Sequence, residues 1–216
     1  MKPILFNEKM VQAILAGRKT QTRRVIKPQP SNNAILEYDQ WYGILQSKYT
    51  AYYRFSPYCY HDILYVRETW IFNNNPKSND FGKYEYRADY IGSMCDDLIK
   101  WRPSIHMPKE AARIFLRVTD VRVERLQDMT EDDAHAEGTQ GCPWTHVVYQ
   151  YDPPEQCWNT DDCPVNNWYC EHSLQDIFGR DIWDAIYGDD PKHKWDANPF
   201  VWVFTFERIP REEATK

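Results

Sequence analysis

The sequence predicts an α+β domain: a small β-barrel with flanking helices and long insertions. Three observations carry this. Short apolar stretches with strand character are separated by loops and a few helical segments. The longest strand signals lie late in the chain, at Ile114–Leu126 and Phe200–Phe206. No internal repeat or linker divides the 216 residues, so residues 1–210 read as one domain, with insertions at about 31–60 and 139–172 and a polar tail, 211–216, expected to be disordered.

Taken in order, Ile4–Phe6 is a short strand. Asn7 can cap a helix from about Glu8 to Ala16, with Met10, Val11, Ile14 and Leu15 on one face and Gly17 at its C-terminal stop. The basic octet Gly17–Arg24 is then expected as the exit loop of that helix, before Pro28 and Pro30 force an extended path. Residues 31–60 read as an excursion holding one hairpin. Ile63–Trp70 is a buried strand, residues 73–83 are loop, and Tyr84–Ala88 is a second strand. Lys100–Pro108 is broken by prolines, and a helical turn follows at Lys109–Ala112. In Ile114–Leu126 the first half is apolar throughout, as in a strand buried on both faces, and the second half alternates. Thr130 opens a helix to Ala136, with Asp133 completing a capping box and Gly138 as the stop. Ser173 caps a further helix that ends by Gly188. Phe200–Phe206 is a closing strand too apolar for a sheet edge.

Charge narrows the function. The chain carries a formal net charge of -6, whereas the octet concentrates Arg18, Lys19, Arg23 and Arg24 with Thr20 and Thr22. A basic, hydroxyl-bearing segment on an acidic body points to a local anionic or nucleoside-sized ligand rather than to nonspecific binding along a polyanion. No apolar run is long enough for a membrane span and the N-terminal apolar stretch is too short for a signal peptide, so a cytoplasmic protein with no membrane partner is expected.

Lys19 and Thr22 combine an amine and a hydroxyl three residues apart, and a hydroxyl attacks well only when a base removes its proton. The neighbouring arginines and burial would lower the lysine's proton affinity. Glu137 and Glu68 are carboxylates at element ends, able to orient an ammonium or a substrate amine. Trp70 and Trp101 are stacking surfaces, and Lys100, Ser104 and His106 flank Trp101 on the same Pro-broken segment. Each of these also has a plainer structural reading as surface charge or core ring. No cofactor and no metal are expected. The only metal-type cluster is Cys142, Cys157, Cys163 and Cys170 with His146 and His172. It lacks the Cys-x-x-Cys pair usual in structural zinc sites, and reduced cysteines packed in an aromatic insertion are the alternative.

The run Ile14–Arg24 resembles the signature of ASCH domains in the PUA-like superfamily: Gly-x-Lys-x-x-Thr/Glu-x-Arg after a short helix. Together with Thr130–Gly138, the wider chain is similar to the larger ASCH-domain proteins of bacteriophages and prophages. The segments Asp62–Trp70, Lys100–Pro108, Val118–Gly138 and Trp195–Phe206 carry that likeness. The resemblance implies a PUA-like barrel with helices beside a basic cleft. It also implies nucleoside- or RNA-directed activity. The family's best-defined reaction is hydrolysis of N4-acetylcytidine, an amide (non-peptide C–N bond), by a small bacterial amidohydrolase with a threonine nucleophile, a lysine base and a glutamate. Those roles fall on Thr22, Lys19 and Glu137, with Arg18, Arg23, Arg24, Glu68, Trp70, Lys100, Trp101, Ser104 and His106 as binding candidates. Other members are described as RNA-binding proteins or ribonucleases, which is the alternative reading. One departure stands out: His61 precedes Asp62 where the phage proteins usually have glycine.

Overall fold

The computed structural model describes residues 1–31, 36–39, 43–48, 53–77, 80–91, 98–139 and 173–215. Among the described residues, strands and short helices follow in the order β1 (Lys2–Leu5), α1 (Glu8–Leu15), β2 (Gln21–Val25), β3 (Leu36–Asp39), β4 (Ile44–Ser47), β5 (Tyr53–Phe55), β6 (Ile63–Arg67), β7 (Trp70–Phe72), β8 (Tyr84–Tyr86), β9 (Phe115–Arg125), α2 (Glu131–Ala136), α3 (Leu174–Ile177), α4 (Asp184–Tyr187), β10 (Phe200–Ile209) and α5 (Arg211–Ala214). A π-helical segment, Phe178–Trp183, joins α3 to α4.

The α+β class is observed. The main sheet has five strands in the order β1-β6-β9-β10-β2. β1 runs parallel to β6, and the other pairs are antiparallel. β3, β4 and β5 form a three-stranded sheet, and β7 pairs with β8. The main sheet is not closed by a backbone ladder: β1 and β2 remain its edges. Arg24 nevertheless spans them, donating from Nη2 to the carbonyl of Leu5 at 3.0 Å.

Alternation along β10 explains why it sits inside the sheet. Trp202, Phe204 and Phe206 face the main core with Phe6, Ile14, Leu64, Val66, Leu116 and Val118. Val201 and Val203 face a second cluster with Leu126, Met129, Ala134, Phe178 and Trp183. Each such large side chain, taken fully out of water, contributes roughly 1.5–3 kcal/mol. The first half of β9 is covered on both faces, as its composition predicts: Leu116 and Val118 join the main core, while Phe115 joins a third cluster with Trp70, Met107 and Ile209.

The local signals hold. Asn7 accepts from Met10 N, and Gly17 takes φ 74° after α1. Thr130 and Asp133 make both bonds of the capping box, and Gly138 takes φ 87°. Three expectations are corrected. The octet is not all loop, because Gln21–Arg24 belong to β2, paired with β10 from Thr205↔Gln21 to Val201↔Val25. The excursion after residue 31 holds a three-stranded sheet whose Leu45 is buried in the main core. The tail is ordered as α5: Pro210 leads into the helix, Ala214 is buried in the third cluster, and Glu213 pairs with Arg117. His61 adopts φ 65°, the left-handed conformation that glycine takes freely.

Candidate functional site

Lys19 reaches its position because the chain leaves α1 through Gly17 and folds back: the amides of Arg18 and Lys19 both donate to the carbonyl of Ala13. The next residue ties two elements together. Thr20 N donates to Ala136 O at 2.7 Å, and Thr20 O accepts from Phe206 N at 2.8 Å. This lays Lys19 beside Glu137 in an isolated antiparallel bridge. Gly138 makes the approach possible, since a Cβ there would lie 2.9 Å from Ala13 Cβ and 3.1 Å from Lys19 Cβ. Arg18, exposed, donates to Gly138 O at 3.2 Å.

The Lys19 ammonium donates to Glu137 Oε2 at 2.5 Å and to Glu137 O at 2.9 Å. Both side chains are buried, at 0% and 2% exposure. Burial lowers the Lys19 proton affinity below the usual lysine value; Glu137 opposes this, and Arg24 and Arg23 add to it. An ammonium has three protons, so two are committed to Glu137 and one direction remains.

Thr22 and Arg23 are adjacent in β2 and therefore point to opposite faces. Thr22, 1% exposed, lies on the Phe204 side, where its Oγ1 accepts from Arg24 Nη1 at 3.0 Å. Lys19 Nζ and Arg24 Cζ both stand over the Phe6 ring, at 5.7 and 5.4 Å from its centroid. The Phe6 ring thus has both the ammonium and the guanidinium that holds Thr22 near it. Lys19 makes its hydrogen bonds to Glu137 rather than to Thr22.

Arg23 is turned into the protein interior. Its side chain is fully buried and its guanidinium meets Glu124 Oε1 at 2.6 Å, Glu137 Oε1 at 3.2 Å and Asp133 Oδ2 at 3.4 Å. Asp133 is also held by Arg122 at 2.6 Å. Burial alone would raise the Asp133 carboxyl, but the Thr130 hydrogen bonds and the charges of Arg23 and Arg122 bring it down to about 2.

The other predicted binding residues have the following surroundings. Glu68, 1% exposed, is held bidentately by Arg113 at 2.9 Å on both oxygens, and Arg113 also pairs with Asp89 at 2.7 Å and covers the Tyr86 ring. Burial pushes the Glu68 carboxyl above its usual range against the pull of Arg113. Trp70 is a core ring, bridged through its backbone to Arg102, whose guanidinium lies 5.3 Å from the ring centroid. Trp101 and Ser104 are half-buried, Trp101 against Tyr90 at 5.4 Å, while Lys100 and His106 are exposed. Cys142, Cys157, Cys163, Cys170, His146 and His172 lie outside the described residues. Among the described residues, no group of three or more His, Cys, Asp and Glu side chains is arranged to hold a metal ion. No helix among them is long and apolar enough to cross a membrane.

A cleft of about 540 Å³ opens between β3–β4 and the end of β9, lined by Tyr38, Leu45, Arg122, Glu124, Arg125 and Phe200 among others. Lys19, Thr22 and Glu137 do not line it. Sequence reading missed Phe6, Glu124 and Arg113. The alternation of β9 was the available signal for Glu124, because it puts that carboxylate on the outward face with Arg122. Comparison of the chain with protein-family models, with curated proteins and with solved structures finds no match.

Proposed function

We propose that the protein is a hydrolase of a modified nucleoside, an N4-acylcytidine-type amide, with Thr22 as nucleophile, Lys19 as base and Glu137 as the group that holds Lys19. The observation that carries this reading is the buried Lys19–Glu137 pair, built from residues 118 apart in sequence, with Lys19 and the Arg24 that binds Thr22 both near the Phe6 ring. Burial favours the neutral amine that a base requires.

In this reading Thr22 Oγ attacks the acyl carbon and its proton passes to Lys19 Nζ. Arg24 stabilises the oxygen that gains charge. Collapse breaks the C–N4 bond, and Lys19 returns the proton to the departing amine. Water then cleaves the Thr22 ester with Lys19 again taking a proton, releasing the carboxylate and restoring the hydroxyl. Thr22 is nearly fully covered, so the substrate must displace Arg24, which is only half-buried. The ASCH assignment belongs to the same proposal. It treats the main sheet as a PUA-like barrel whose last seam is the Arg24–Leu5 bond rather than a ladder.

The test is turnover of N4-acetylcytidine to cytidine, followed by chromatography. Thr22→Ala is expected to abolish turnover while retaining a thermal shift with the nucleoside. Hydrolysis by Thr22→Ala at the native rate overturns the assignment. A second reading, RNA binding without hydrolysis, is favoured by the exposed Lys100, Arg102 and His106 around the half-buried Trp101. It is distinguished by binding of a short RNA that weakens steeply between roughly 50 and 200 mM salt.

A further inference from the structure

We infer that Arg23 is a positioning residue for this site: by holding Oε1 of Glu137 it divides one carboxylate between two cations and thereby sets how tightly Lys19 keeps its proton. The inference deepens the proposed function, resting on Lys19 as the base, but its geometry stands without the substrate. Glu137 gives Oε2 to Lys19 at 2.5 Å and Oε1 to Arg23 at 3.2 Å. A carboxylate engaged by only one cation would direct its whole charge at Lys19. Arg23 draws part of that charge to the opposite face of β2.

Among the described residues, the groups around Lys19 come from α1 and its flanks, α2, β2 and β10. Lys19 faces Glu137 from the end of α2, and Arg23 and Arg24 from β2. The turn before α1 offers the Phe6 ring, α1 offers Ala13, and β10 offers the Phe206 amide one residue away at Thr20, none of them charged. Arg18 is directed to Gly138 O. Arg23 in turn is engaged by Glu124 from β9, by Asp133 from α2 and by Gln21 on its own strand. Arg122 bridges Glu124 and Asp133 and approaches Asp120. Glu124 therefore competes with Glu137 for Arg23, at the shorter distance of 2.6 Å.

This competition gives two variants opposite signs. Removing Arg23 leaves Glu137 wholly to Lys19 and deletes a nearby positive charge, so both effects tighten the Lys19 proton. Removing the charge of Glu124 lets Arg23 act more fully on Glu137 and deletes a negative charge, so both effects loosen it.

The experiment is a nuclear magnetic resonance titration of lysine-labelled full-length protein, with the Lys19 resonance assigned by its loss in Lys19→Arg. Arg23→Met is expected to raise the Lys19 midpoint by about one pH unit, a tenfold tighter proton, and Glu124→Gln to lower it. Unchanged midpoints in both variants, or shifts of reversed sign, overturn the inference. If Arg23→Met does not fold, Glu124→Gln decides alone: a lowered midpoint supports the inference and an unmoved one overturns it. Wild-type protein that fails to hydrolyse N4-acetylcytidine while both midpoints move as expected removes the substrate reading and leaves the coupling in place.

Discussion

Two ion clusters in this molecule each hold a buried carboxylate. In one, Glu137 is shared by Lys19 and Arg23. In the other, Glu68 is gripped on both oxygens by Arg113, which is shared in turn with Asp89. Each places a carboxylate at 1–4% exposure. The cation makes the difference. Arg113 does not release a proton at any ordinary pH, so it acts as a fixed charge that ties the end of β6, through Glu68, and the turn after β8, through Asp89, to the start of β9. A desolvated lysine can release one. Burial of a charge is therefore a weak pointer to function, and burial of a charge on a group that can discharge it is a stronger one.

The largest expected effect tests the static cluster. Arg113→Met leaves Glu68 buried without its main partner. It should cost about 3–5 kcal/mol, read as a melting midpoint lower by about 10 °C for a chain of this size. Adding Glu68→Leu should recover most of that loss, because an apolar pair of similar volume replaces the ion pair. Lys19→Met should cost less, about 2 kcal/mol, since Arg23 keeps Glu137 paired; equal losses in the two clusters would break the contrast drawn between them.

A smaller effect concerns acid. The Asp133 carboxyl is held at about 2 in the folded protein. Between that value and its ordinary one the unfolded chain binds more protons, so this contribution to stability is complete above the ordinary carboxylate range and is lost as pH falls toward about 2. Asp133→Asn should flatten the acid limb of a urea-midpoint profile recorded from roughly pH 2 to 6. An unchanged slope would show that the charges around Arg23 do not act on Asp133 as described.

The smallest effect lies away from both clusters. His61 holds φ 65°, a conformation costing a non-glycine residue about 1–2 kcal/mol. His61→Gly relieves this but adds freedom to the unfolded chain, for a net gain of about 0.5 kcal/mol. A loss of stability on chemical denaturation would mean that the Tyr60–His61 ring contact outweighs the backbone term.

Which parts of this were legible in the sequence follows from the range of the interactions. Asn7, Gly17, the Thr130–Asp133 box and Gly138 act within a few residues, and each element end they mark is where the residues place it. The burial of β10 was readable from its own composition. Gln21–Val25 was not readable as a strand, because two arginines and two polar residues look like a loop until Trp202 and Phe204 are laid beside them. Arg113 and Glu68 are 45 residues apart, and neither carries a local sign of the other. The tail reads as solvent-loving at Arg211–Glu213, yet Ala214 is buried in the third cluster and Glu213 pairs with Arg117, and neither partner is visible from the tail itself. The Lys19–Glu137 pairing was suggested by the family resemblance, not by any property of either segment alone.

Gly138 has a consequence for how such a chain can change over time. Its missing side chain is what lets the end of α2 rest against Lys19 and Ala13. A methyl group added there would meet Ala13 and Lys19 and would sit at a positive φ that side chains rarely adopt, so the contact between the two segments would have to shift. A change at this one position therefore reaches Lys19 and Glu137 without replacing either.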